Sequence, residues 1–371
     1  MPRHVYVHVP FCARRCSYCD FSIAVRRTVP VEEYLEALEK ELSLRFGDAP
    51  PTEVDTIYFG GGTPSQLGGE GLSRALGIVA RRFVPASGAE VTAEANPDDI
   101  VRESVLAWRG AGINRLSLGA QSFDERALEW MHRTHDSTAV GQAVATARDA
   151  GITNLSLDLI FALPSVLERD FGFDVEQVLA LEPDHVSLYG LTIEPATPLG
   201  RWVARGRVAE QPEEGYESDY LTAHRMLTSA GFGHYEVSNY ARVDRRAVHN
   251  SAYWSGVPYV GLGPAAHGFD GVTRRWNARA YAEWRDRVKG GVDPVEGSEE
   301  LTAENRIAES VYLGLRSDTG LEFIERDRGV VAPWLEAGWL THASDGRLRC
   351  TPEGWLRLDS LAAALTHHRS P

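Results

Sequence analysis

The 371-residue sequence is poor in cysteine. It has four, with Cys12, Cys16 and Cys19 inside eight positions and Cys350 far away. A secreted disulfide framework spreads its cysteines along the chain, so this pattern excludes one. It points to thiolates used for metal or redox chemistry in a reducing compartment. Long apolar runs are missing too; none reaches the roughly 18 residues of a membrane span, which leaves open only peripheral contact with a membrane. Positive charge is in deficit: 38 Lys and Arg against 52 Asp and Glu leave a net charge of −14. That argues against nucleic acid as a partner, because phosphates call for clustered cations. Around the first residues, His4 and His8 interrupt any signal-peptide pattern and no small-residue cleavage site follows, so a cytoplasmic location is expected.

What remains is an ordinary globular composition, 43% hydrophobic and 24% charged, long enough for one large domain and a smaller one. Short runs rich in β-branched and aromatic residues recur at Val5–Val9, Thr56–Phe59, Glu90–Ala93, Arg115–Leu118, Leu155–Ile160 and His185–Tyr189; they read as strands. Helical patterns lie between them. In the first, Val31, Leu35, Leu38, Leu42 and Phe46 form one apolar stripe, and Pro30 is placed to start the helix. Alternating strands and helices predict a parallel α/β sheet. Polar residues fall at the C-terminal ends of several successive strands, which favours a barrel over an open sheet with a single switch point.

The texture changes after Glu194. The sequence predicts a barrel domain over 1–235, a loop-rich connecting region over 236–300, and a smaller α+β, winged-helix-like C-terminal domain over 301–371. Cys350, in a short β-like run, reads as a small core residue.

The cysteine loop runs Pro10-Phe11-Cys12-Ala13-Arg14-Arg15-Cys16-Ser17-Tyr18-Cys19-Asp20-Phe21. Three thiolates on one tight loop can each hold an iron of a cubane cluster and leave the fourth iron open. A Cys16–Cys19 redox pair and a zinc site completed by His8 are alternatives on the residues alone. A disulfide fits poorly, because the closed loops would be very small.

With Tyr18 beside the last cysteine, and with Gly60-Gly61-Gly62-Thr63-Pro64 ending the second strand, the chain resembles the radical SAM superfamily. The resemblance implies a partial (β/α)6, TIM-like barrel. It implies a [4Fe–4S] cluster on Cys12, Cys16 and Cys19, with S-adenosylmethionine (SAM) chelating the open iron through its amino and carboxylate groups. One electron from the cluster would cleave SAM to methionine and a 5′-deoxyadenosyl radical. Carried over position by position, it implies SAM contacts at Tyr6, Tyr18, Gly61, Gly62, Thr63, Glu94, Gln121, Arg133 and Asp158. The charges suit this, with carboxylates toward an ammonium and hydroxyls and a guanidinium toward a carboxylate.

Within the superfamily the whole chain is similar to the subfamily of oxygen-independent coproporphyrinogen III dehydrogenases and HemW heme chaperones. Dehydrogenases carry a fourth cysteine just after the loop and a long segment before it. Here Asp20-Phe21 stands in the first place, and the first cysteine is already at position 12. The expectation is therefore a heme chaperone, with porphyrinogen oxidation as the alternative. A further motif, His249-Asn250-Ser251-Ala252-Tyr253-Trp254, is similar to one implicated in heme binding in the HemW group. It implies His249, Asn250, Tyr253 and Trp254 as heme-binding candidates. Imidazole can ligate heme iron and aromatic rings can face a porphyrin; on spacing alone, the same residues read as a packed aromatic corner. The implied partners are heme, a heme-acceptor protein and an electron donor, the last two without a sequence signature.

Overall fold

The structure, a computed structural model, describes residues 2–370. Six strands alternate with helices in its first half: β1 (His4–Val9), β2 (Thr52–Gly61), β3 (Phe83–Ala95), β4 (Arg115–Gln121), β5 (Leu155–Phe161) and β6 (His185–Gly190). Between them lie α1 (Val31–Phe46), α2 (Gly68–Ala80), α3 (Arg102–Ala111), α4 (Glu125–Trp130), α5 (Ser137–Asp149) and α6 (Phe171–Ala180). The six strands pair in parallel and in sequence order, each beside the next. A doubly wound sheet reverses its order at a switch point; this one does not, so it winds as a barrel does. Helices then cover the outer face, and α1 buries Tyr34, Leu35, Leu38 and Leu42 against it. The strands are buried on both sides, as parallel strands are: Val5, Val7, Leu116, Leu118, Leu155 and Leu157 have no exposure at all.

The later chain corrects one expectation. After α7 (Pro198–Ala204) and α8 (Glu213–Ser229), the hairpin of β7 (Gly233–Glu236) and β8 (Asn239–Ala241) adds to β6 antiparallel. Beyond α9 (Val248–Trp254), β9 (Val260–Leu262) pairs in parallel with β1 at the opposite edge. Residues 236–300 therefore complete the nine-stranded sheet rather than merely connect, and a boundary at 235 would cut the hairpin. Strands this short leave no run for a pattern to register.

A second antiparallel sheet follows, of β10 (His267–Phe269), β11 (Thr273–Asn277) and β12 (Val295–Glu300), with α10 (Tyr281–Lys289) before β12. The C-terminal unit runs α11 (Ala303–Arg316), β13 (Leu321–Glu322), α12 (Arg328–Glu336), β14 (Leu340–His342), β15 (Arg347–Cys350), α13 (Pro352–Trp355) and α14 (Leu358–Arg369). Thr302 and Asn305 cap α11 reciprocally. Its small three-stranded sheet and helices have the winged-helix-like character expected, and Cys350 is buried among them.

Candidate functional site: a thiol-lined cavity at the strand ends

The cysteine loop leaves β1 at Val9. Phe11 is fully buried and meets the rings of Tyr34 and Tyr281 edge-on at 5.6 and 5.0 Å, anchoring the loop's start. Phe11 and Cys12 pair with Ala24 and Val25, which close the loop. Its middle is pinned by Ser17, whose N–H donates to Met131 O at 3.1 Å and whose carbonyl accepts from Leu199 N at 2.8 Å. All three loop cysteines are free thiols.

They open into a cavity of about 500 Å³. Its lining also includes Tyr18, Gly61, Gly62, Thr63, Glu94, Gln121, Arg133 and Asp158. Tyr6, expected among them, is not. Its ring stacks on Tyr58, its hydroxyl meets His8 Nδ1 at 3.1 Å, and it faces two neighbouring cavities instead. Tyr6 lies in mid-strand opposite Tyr58, whereas the loop carries the cysteines beyond the strand's end. The lining adds Asn96, Ser117, Gly119 and Tyr189, which no sequence signal singled out.

Each strand end contributes a polar group. Glu94, near the end of β3, accepts from Tyr58 Oη at 2.7 Å and from the Gly61 N–H at 3.0 Å. Burial pushes its carboxyl up to about 7, against the pull of those two hydrogen bonds. Asp158 on β5 accepts from Ser117 Oγ at 3.0 and 3.2 Å; burial raises its pKa, and hydrogen bonds from Ser187 and Ser117 oppose the rise. Gln121 ends β4 at φ 66°, a left-handed conformation rare for such a residue, where the register against β5 shifts. Backbone strain of this kind collects at functional sites.

Arg133 follows α4. Its Nη1 lies 3.5 Å from Cys16 Sγ, and its Nη2 donates to Asn96 Oδ1 at 2.6 Å and to Gly119 O at 2.9 Å. Its Nε is buried without a partner among the described residues, which leaves capacity for an anion.

The glycines are also needed for packing. A Cβ on Gly61 would stand 2.4 Å from the His8 ring, and one on Gly62 2.7 Å from Pro10. Their bareness lets β2 lie against the base of the cysteine loop.

The residues present fit a cubane held by three thiolates better than a single metal ion. Thr63 Oγ1 donates to Cys12 Sγ at 3.4 Å, so sulfur is already treated as an acceptor there. Burial pushes the Cys19 thiol up to about 11 and raises that of Cys12, so the thiolate forms need a bound cation to offset their charge. Among the described residues no group of three or more His, Cys, Asp or Glu side chains is placed to hold one metal ion. His8, which a zinc site would use, spends Nε2 on Ser22 O at 3.0 Å and Nδ1 on Tyr6.

The aromatic motif lies elsewhere. His249 is buried, with Nδ1 on Thr56 Oγ1 at 2.7 Å and Nε2 on Tyr253 Oη at 2.9 Å, and its ring stacks on Tyr58 at 5.0 Å. Burial pushes its pKa down to about 3. With both ring nitrogens engaged, His249 is a packing residue in this conformation. Asn250 is half-buried and lines none of the three cavities. Tyr253 and Trp254 do line a cavity, of about 640 Å³, between α9, the β10–β12 sheet and α11.

No helix among the described residues is long and apolar enough to cross a membrane. Residues 6–178 match the family model of the Radical SAM superfamily. The chain is 38% identical to the heme chaperone HemW of Mycobacterium tuberculosis over 98% of its own length and 95% of that protein. It is 35% identical to the heme chaperone HemW of Bacillus subtilis, over 86% of this chain and 84% of that one. Its fold is similar to that of coproporphyrinogen III oxidase (HemN) from Escherichia coli, described as a radical SAM enzyme, with a TM-score of 0.83 and 23% identity over 98% of this chain and 90% of that one. The chain thus belongs to the radical SAM superfamily and, within it, to the HemW family.

Proposed function

We propose that this protein is a cytoplasmic heme chaperone that keeps a radical SAM core, binding heme and passing it to an acceptor protein. The observation that carries this reading is the 38% identity with a HemW heme chaperone across 98% of the chain. The cavity supports the core half of it. Cys12, Cys16 and Cys19 would each take one iron of a [4Fe–4S] cluster and leave one iron for SAM. When bound, the cluster supplies one-electron reducing chemistry drawn from an external donor.

The chain's own groups orient the SAM. Glu94, tied to the Gly61 N–H, offers a carboxylate to its ammonium, and Arg133 offers a guanidinium to its carboxylate. Asp158 and Gln121 offer acceptors and donors to hydroxyls. Tyr253 and Trp254 supply flat apolar surface at a separate cavity suited to a porphyrin.

The test is hemin titration of the full chain followed by mixing with an apo heme protein. The reading expects saturable binding and transfer, with no conversion of coproporphyrinogen III. Failure to bind heme, or porphyrinogen oxidation by the reconstituted protein, overturns it.

A further inference from the structure

Two histidines face the cavities beside the thiol-lined one. His8 is consumed by Tyr6 and Ser22. His267, the first residue of β10, is exposed and its ring has no hydrogen-bond partner among the described residues. It lies on the wall shared by the aromatic cavity and a smaller connecting one. That connecting cavity also touches Gly61 and Glu94, which line the thiol chamber.

Two neighbours hold its position. The Trp276 ring lies beside the imidazole at 5.8 Å with the planes 26° apart. β10 pairs His267 with Trp276. Behind it, Gly261 packs so closely that a Cβ there would stand 1.9 Å from His267 O. Exposed and without a hydrogen-bond partner among the described residues, the ring keeps its nitrogens available to a ligand. Partial desolvation by its neighbours and the nearby Arg274 lower its pKa, which favours the neutral ring with a free lone pair.

The surroundings match a flat, largely apolar ligand. Tyr253, Trp254, Tyr259, Phe269 and Tyr312 wall the cavity, and Arg274, placed over the Phe269 ring at 5.5 Å, is paired there with Glu309, which also lines it. Its volume of about 640 Å³ is that of a cofactor site.

Resting on the heme chaperone reading, we infer that the aromatic cavity seats the iron porphyrin and that His267 supplies an axial imidazole to its iron. Tyr253 and Trp254 then act as wall and His249 as the strut behind them, so the aromatic motif shapes the seat without ligating the metal.

The experiment is hemin titration of the full-length, anaerobically reconstituted protein, followed by absorption and electron paramagnetic resonance. His267→Ala should lose the imidazole-ligated spectrum and weaken heme binding tenfold or more, while iron and sulfide content stay as in the wild type. Added free imidazole should restore the spectrum, a rescue that a merely structural role would not give. His267→Met, which keeps bulk and apolar contact, should bind with a changed ligand-field spectrum. An unaltered spectrum and affinity in both variants overturns the ligand assignment and leaves the chaperone reading standing. No heme uptake by the wild type overturns both.

Discussion

Arg133 Nη1 stands 3.5 Å from the sulfur of Cys16, so the one buried guanidinium of the thiol chamber touches the loop that would hold the cluster. Its other nitrogen is tied to Asn96 and Gly119, which fixes the fork in place. A lysine there would keep the charge and lose the fork. Arg133→Lys should retain the cluster and bind SAM about tenfold to a hundredfold more weakly, the range expected when a charge-assisted pair of about 1.5–3 kcal/mol is lost. Anaerobic equilibrium dialysis with labelled SAM measures it; wild-type affinity would remove Arg133 from the SAM site.

Glu94 gives a pH dependence. Its folded pKa is raised by burial to about 7, whereas an unfolded glutamate titrates near about 4.3. Between those values the folded, cluster-free chain holds a proton that the unfolded chain has released. The contribution of this group is therefore fullest below the unfolded value and is lost as pH rises through the folded one. Glu94→Gln cannot titrate, so it should gain on the wild type by roughly 1–3 kcal/mol between about pH 5 and about pH 8. Urea denaturation at both pH values measures the gain; an equal difference at the two would contradict the burial of a titrating carboxyl.

Gly61 and Gly88 both have positive φ, 110° and 81°, but only Gly61 is crowded, by the His8 ring. Gly88→Ala should cost only backbone strain, about 1 kcal/mol. Gly61→Ala adds a collision with an immobilised ring and should cost about 2–4 kcal/mol more. Equal losses in thermal or chemical denaturation would show that β2 does not need its close approach to the loop.

His249→Ala removes a buried ring and strands Thr56 and Tyr253 without their partner. The expected loss of stability is about 2–4 kcal/mol. The iron spectrum of bound heme should stay histidine-ligated. Loss of that signature with unchanged stability would make His249 the ligand.

Much of this architecture was legible in the sequence. All six leading strands were, because Val, Ile and Leu runs such as Leu155–Ile160 are buried on both sides and leave a strong signal. The thiol chamber was legible through the resemblance that the cysteine loop and the glycine motif carry, and eleven of the twelve positions it implies line the cavity; the one that does not is Tyr6. β8 and β9 were not, because three-residue strands carry no period. For His249 the spacing alone suggested a packed aromatic corner, but its partner Thr56, far away in the chain, was not legible. His267 stood in a glycine-rich stretch with no motif around it, and only its free ring and cavity position mark it.

The most direct test of the central claim is to reconstitute the chain anaerobically with iron and sulfide, reduce it, and record electron paramagnetic resonance before and after adding SAM, with Cys16→Ala as control. A three-thiolate cubane with one open iron predicts the iron and sulfide content of a single [4Fe–4S] cluster, a spectrum that changes when SAM binds, and loss of both in the variant. Bound zinc, a Cys16–Cys19 disulfide, or a cluster spectrum indifferent to SAM would contradict it.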